Sequence, residues 1–214
     1  AAYDFSGWSV SNAGDVNGDG FDDLIIGATD ADSNENNSGS SYVVFGKASG
    51  FSATMELSSL DGSNGFRLDG IAENNYSGYS VSTAGDVNGD GFDDVIVGAS
   101  RASPNGNESG SSYVVFGKAS GFSATMELSS LDGSNGFRLD GVSAGDLTGR
   151  SVSNAGDVNG DGFDDLIVGA PRADLNGEES GSSYIIFGRS DFGSDVDFPG
   201  TAGDDELTGT KAAE

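Results

Sequence analysis

Hydrophobic positions in this chain come in short bursts set off by polar punctuation. Leu24-Ile25-Ile26, Val95-Ile96-Val97 and Leu166-Ile167-Val168 are three-residue runs, and around them Val, Ile, Tyr and Phe alternate with Ser, Thr and Asn. Short runs and period-2 alternation bounded by Gly, Asn, Asp and Ser predict β-strands, not helices. In the middle of the chain four strands fit, near 79–84, 94–99, 112–117 and 136–140. Glycine is abundant (36) and proline scarce (3), which calls for many tight turns without a polyproline linker.

The pattern repeats. Asp15, Asp86 and Asp157 open the same phrase, Asp-Val-Asn-Gly-Asp-Gly-Phe-Asp-Asp, at a spacing of 71 residues each time, and Ser38–Gly70 recurs letter for letter at Ser109–Gly141. Such a period marks repeated supersecondary units that cannot stand alone. Four sequential antiparallel strands make one blade, and a radial stack of blades is a β-propeller, so the expected class is all-β with three blades. The expected divisions are 1–70, 71–141, 142–198 and an acidic tail, 199–214. The Gly-Phe-Arg-Leu-Asp-Gly phrase at Gly65 and Gly136 does not return after Phe187, so the third blade is expected to be incomplete. Propellers close with about 4 to 8 blades, so three should form part of a larger ring or of one shared between two chains.

The repeated phrase carries the candidate chemistry. Oxygen-bearing side chains stand at positions 1, 3, 5 and 9, glycine at 6 and a main-chain carbonyl at 7, the order in which a calcium loop wraps a hard cation. The expected ligands are Asp15, Asn17, Asp19 and Asp23 with the Phe21 carbonyl. Their counterparts are Asp86, Asn88, Asp90, Phe92 and Asp94, and Asp157, Asn159, Asp161, Phe163 and Asp165. One Ca2+ per blade is expected, three in all. An EF-hand would supply a bidentate Glu at position 12, but Ile26, Val97 and Val168 stand there, and the flanks are β-branched strand sequence.

Composition then narrows the function. Lys plus Arg number 9 against 35 Asp plus Glu, a formal charge of -26, which disfavours nucleic acid and anionic membranes. No apolar stretch approaches the ~18 residues of a membrane helix, and nothing at Ala1 reads as a signal segment. The chain has no Cys and no His, so thiol and imidazole catalysis, common zinc sites and disulfides are all out. An enzyme here would depend on Asp, Glu, Tyr, Lys or bound calcium, and no catalytic residue is expected.

With those motifs in place, the chain resembles the FG-GAP repeat family of integrin α-subunit propellers and large bacterial surface proteins. The first signature appears in altered form as Ser6-Gly7-Trp8-Ser9-Val10, Ser77-Gly78-Tyr79-Ser80-Val81 and Thr148-Gly149-Arg150-Ser151-Val152. The second appears as Gly27-Ala28-Thr29, Gly98-Ala99-Ser100 and, intact, Gly169-Ala170-Pro171. The resemblance spans about residues 6 to 190 and implies a calcium-stabilised propeller, extracellular or at the cell surface, used for adhesion or protein binding. A lectin-like module that binds glycans is the alternative, and a lyase or hydrolase domain a more distant one. Gly203-Asp204-Asp205-Glu206-Leu207 resembles one imperfect hemolysin-type (RTX) calcium nonapeptide, although a plain acidic tail explains it equally well.

Other residues have simpler expected roles. Trp8, Tyr79 and Arg150 occupy equivalent places and should pack between blades. Arg67 and Arg138 should pair with carboxylates, and the loop residues Glu35, Glu73, Glu108, Glu178 and Glu179 have no spacing that suggests a catalytic pair. The loops that differ between copies, 29–37, 100–108 and 171–179 together with 71–77 and 142–148, lie opposite the calcium turns in an up-and-down blade. A protein or glycan ligand is expected on that face, and a homodimer completing a six-bladed ring is a possible assembly.

Overall fold

The structure, a computed structural model, describes residues 3–192 and the backbone of 195–197. The first blade contains β1 (Ser6–Gly14), β2 (Asp23–Ala28), β3 (Ser40–Val44) and β4 (Gly65–Asp69). The second contains β5 (Ser80–Gly85), β6 (Asp94–Ala99), β7 (Ser111–Val115) and β9 (Gly136–Asp140), with the short β8 (Thr125–Glu127) before β9. The third contains β10 (Ser151–Gly156), β11 (Asp165–Ala170) and β12 (Ser182–Ile186), and β13 (Asp195–Asp197) follows it. Within each blade successive strands are antiparallel neighbours, as the alternating pattern predicts. Among the described residues the third blade has no fourth strand of its own, as the missing Gly-Phe-Arg-Leu-Asp phrase led us to expect. The acidic tail with its RTX-like segment lies outside the described residues.

The sheets differ in one respect from simple four-stranded blades. β8 leaves its own blade and pairs in parallel with the outer strand β4 of the first, Arg67 opposite Thr125 and Asp69 opposite Glu127. β13 does the same for β9, Arg138 opposite Asp195. The outer edge of each of the first two blades is thus covered by a strand from the segment that follows β7 or β12, which saturates a row of backbone groups otherwise open to unwanted pairing.

Alternation decides which face each side chain takes. Ile25, Val43 and Phe66 point from the first blade toward the second, where they meet Val81, Val95, Val97 and Tyr113. On its other side the middle blade presents Ile96, Val114 and Phe137 to Leu166, Val168 and Ile186 of the third. All six residues of β6 are buried, because both of its faces are covered. The outer faces lack that cover. Leu24, equivalent to Val95, is 49% exposed, and Val158, equivalent to the wholly buried Val16 and Val87, is 53% exposed.

The two glycine signatures meet across the blades. A Cβ on Gly27 would collide with the carbonyl oxygen of Gly78, and one on Gly98 with that of Gly149. Glycine of the second signature in one blade therefore touches glycine of the first signature in the next. At Gly169 the neighbouring atoms belong to Ser151 of its own blade.

Candidate metal centres and the opposite loop face

Each calcium phrase forms the turn between the first two strands of its blade. Gly18 and Gly20 take φ of +69° and +88°, and Gly89, Gly91, Gly160 and Gly162 repeat these left-handed conformations. That geometry lets the backbone curl around the first aspartate at no steric cost. Asp15 Oδ1 accepts the Asp19 N–H (3.0 Å) and Oδ2 the Gly20 N–H (2.9 Å). Asn17 Oδ1 also accepts from Asp19 N–H, and Asp19 Oδ1 accepts from Phe21 N–H. The Asp86 and Asp157 loops repeat these bonds, and each adds one from the N–H of its first glycine, Gly89 or Gly160, to Oδ1 of the first aspartate. At Asp157 these bonds, foremost that from Gly162 N–H, hold the carboxyl below its usual range.

The ninth-position aspartates sit in a different environment. Asp23, Asp94 and Asp165 are fully buried. Asp94 Oδ2 accepts the Val87 N–H (3.1 Å) and Oδ1 the Gly117 N–H (2.9 Å), so its carboxylate ties the start of the loop to the segment leaving β7. Asp23 and Asp165 make the same two bonds. Burial pushes Asp23 up to about 6 and Asp94 up to about 8; the two N–H bonds oppose the rise, and the neighbouring loop aspartates add to it.

Positions 1, 3, 5 and 7 of each phrase lie in the turn, and position 9 opens the strand that follows it. They are not preassembled: among the described residues no three carboxylates converge closely enough to form a ready cage. Their oxygens are turned onto N–H groups of the loop itself or, for one oxygen of each ninth-position aspartate, of the segment leaving the third strand, and each carboxylate oxygen holding one hydrogen bond keeps a further lone pair. The donor set is all oxygen, dense in negative charge and anchored by a buried carboxylate, and at Asp23 and Asp94 burial penalises the ionised form. Those properties fit a hard divalent cation of calcium's size.

The strand register fixes the opposite face. Gly85 pairs with Asp94 at the aspartate-loop end of the second blade, and Ser80 pairs with Gly98 at the far end, from which residues 100–110 emerge. There the segment 71–76 and the loop from Arg101 to Glu108 enclose a cleft of about 710 Å³, with Tyr113 and Arg138 on its floor. The Arg101 guanidinium lies over the Tyr76 ring at 5.0 Å and reaches Glu108 at 3.8 Å. Both segments differ from their counterparts elsewhere in the chain.

The remaining singled-out residues are also placed. Trp8 packs on Tyr79 with ring centroids 5.6 Å apart, and the Arg150 guanidinium lies over the Tyr79 ring, 4.3 Å from its centre. These three equivalent positions thus form a ladder across the blades. Arg67 and Arg138 bind the buried Asp69 (2.7 Å) and Asp140 (2.8 Å). Glu179 pairs with Arg172 at 3.6 Å. Sequence reasoning missed the eighth-position aspartates Asp93 and Asp164, which bond across blades. The one available signal was the doubled Asp that ends every copy of the phrase.

Known proteins of similar sequence point the same way. The FG-GAP repeat model matches residues 6–44, 77–115 and 148–186, one match for each blade. Integrin alpha-PS5 of Drosophila melanogaster is 32% identical over 172 residues, covering 80% of this chain and 15% of that protein. Integrin alpha-4 of Xenopus laevis is 29% identical over 162 residues (76% and 14%), and Integrin alpha pat-2 of Caenorhabditis elegans 32% over 177 residues (78% and 13%). The chain spans about one seventh of the length of these curated relatives. Three matched repeats, one per sheet and each carrying the calcium phrase between the same two strands, place the chain in the FG-GAP repeat family.

Proposed function

We propose that this chain is a calcium-rigidified propeller segment that binds an extracellular protein, as an adhesion or interaction module, through the loops opposite the calcium turns. The observation that carries the reading is the cleft between segments 71–76 and 101–108. It exposes an Arg on a Tyr in a chain of formal charge -26, and Arg and Tyr are the side chains that most often anchor protein interfaces. The calcium turns at the other end would stiffen the scaffold, with Asp15, Asn17, Asp19, Phe21 and Asp23 and their counterparts as ligands. Blade divisions at 70/71 and 141/142, with a separate tail from 199, belong to the same reading.

The test is binding of the calcium-loaded chain to an extracellular protein array and, in parallel, to a glycan array. Arg101→Glu and Tyr76→Ala should each weaken a protein hit at least about tenfold while leaving the melting temperature in place. Binding to glycans alone, or protein binding that both variants retain in full, overturns the reading.

The reading extends to head-to-tail pairing of two copies. The outer face of the first blade, with Val10 and Leu24, and that of the third, with Ile167 and Ile185, are the two halves of an interface the chain already builds twice internally. Two copies would make six blades, within the closing range. Light scattering in calcium should give twice the chain mass, and Leu24→Asp should return it to the monomer. A monomer at micromolar concentration refutes the pairing.

A further inference from the structure

The blades are joined at the ends that carry the aspartate loops by a side chain that is not among the expected ligands. Asp93, the eighth residue of the second loop, accepts the Asp15 N–H of the first loop on Oδ2 at 2.7 Å, and its own N–H donates to the Asp15 carbonyl at 3.3 Å. One residue of the second loop thus holds both backbone groups of the residue that opens the first. Asp164 repeats the contact on Asp86, with distances of 3.0 and 3.1 Å.

The surroundings are shaped to this contact. A Cβ on Gly14 would overlap the Asp93 carboxylate, and one on Gly85 the Asp164 carboxylate, whereas Gly156, which has no following blade among the described residues, has open space at that position. The Phe92 ring lies against Gly18 of the first loop and Phe163 against Gly89 of the second. The Lys118 N–H donates to the Val16 carbonyl (3.0 Å) and the Arg189 N–H to that of Val87 (2.9 Å). In the first blade, by contrast, the Asp22 carboxylate accepts from the Asn12 side chain.

We propose that Asp93 and Asp164 are positioning residues that couple each calcium loop to the one before it, so that filling a loop raises the calcium affinity of its predecessor. This rests on the calcium reading above. Asp93 stands between Phe92, whose carbonyl is the seventh-position ligand, and Asp94, the ninth. When the second loop closes on its ion, the backbone on both sides of Asp93 is fixed, and with it the carboxylate that grips Asp15. Asp15 is then held with its main chain already in the liganding conformation, and the first loop has less conformational freedom to lose on binding. The coupling runs from the third loop to the second and from the second to the first. By linkage it is reciprocal in free energy.

The experiment is a site-resolved calcium titration of the full chain by NMR, following the amides of Gly20, Gly91 and Gly162 as reporters of the three loops. Asp90→Ala empties the second loop and should weaken calcium at the first about tenfold. In the Asp93→Ala background, where the grip is already lost, Asp90→Ala should have no further effect on the first loop. Asp93→Asn keeps an acceptor oxygen and should restore most of the coupling, and Asp22→Ala should leave all three affinities unchanged. Loss of blade packing alone would lower stability without producing this non-additivity. Three ions bound with first-loop affinity unmoved by Asp90→Ala or Asp93→Ala overturn the coupling and leave the calcium reading intact. No bound ion at any loop overturns both.

Discussion

Chelation of calcium should lower the melting temperature of this chain by at least about 10 °C. Carboxylates wrapped around one cation come within about 4 Å of each other, and each like-charge pair left uncompensated at that distance costs up to ~4 kcal/mol at an effective dielectric near 20. Three aspartates per loop make three such pairs, so without the ion the wrapped loop opens and its contribution to the ~5 to 15 kcal/mol that holds a whole domain together is lost. A chain of this size shifts by roughly 2 to 4 °C for each kcal/mol, so loss of even one compensated loop is easily seen. Asp86→Ala should destabilise the calcium-loaded protein through the middle blade, which alone packs on both sides. Superimposable melting curves in excess calcium and excess chelator would rule this out.

The buried aspartates Asp23 and Asp94 add a signature in pH. Burial raises Asp94 to about 8 and Asp23 to about 6, against an ordinary value of 3.8. Between the ordinary and the raised values the folded, calcium-free chain binds protons that the unfolded chain does not, so its stability falls as pH rises through that window. In chelator the protein should therefore melt higher at pH 5 than at pH 8. In calcium the order should reverse, because the ion competes with the same protons. A calcium-free melting temperature that rises from pH 5 to pH 8 would contradict the assignment.

The second large effect is expected at Gly98. Gly98→Ala should cost about 1 to 3 kcal/mol, the usual penalty of forcing a methyl group into a filled contact. The added Cβ collides with the Gly149 carbonyl oxygen of the next blade, a backbone atom that cannot rotate away. Gly169→Ala is the internal control. Gly98 and Gly169 each face the equivalent serine side chain of their own blade, Ser80 and Ser151, but only Gly98 has the carbonyl of a following blade. Thermal melting in calcium should show a clear drop for Gly98→Ala and little change for Gly169→Ala. Equal drops would mean that the serine contact, not the blade interface, demands glycine.

The strand pattern, the 71-residue period and the three loops were legible in the sequence because each is a local property. Side-chain alternation with period 2 follows from the pleat, and the spacing of oxygens along Asp15–Asp23 follows from the wrap of a single turn, so neither needs a distant partner. That the third blade has no fourth strand of its own among the described residues was visible for the same reason, as an absent phrase. Tertiary structure alone decided what lies between the repeats. Strand alternation shows that Ile25 and Leu24 face opposite ways, but only the stack of blades buries one and exposes the other. No local signal marks β8 as the outer strand of the preceding blade, since its partner Arg67 is contributed by a segment 58 residues earlier. The grip of Asp93 on Asp15, across 78 residues, was equally hidden. The doubled aspartate reads as two equal carboxylates in the sequence, and it is the pleat of β6, beginning at Asp94, that turns one inward to its own loop and leaves the other to reach the neighbouring blade.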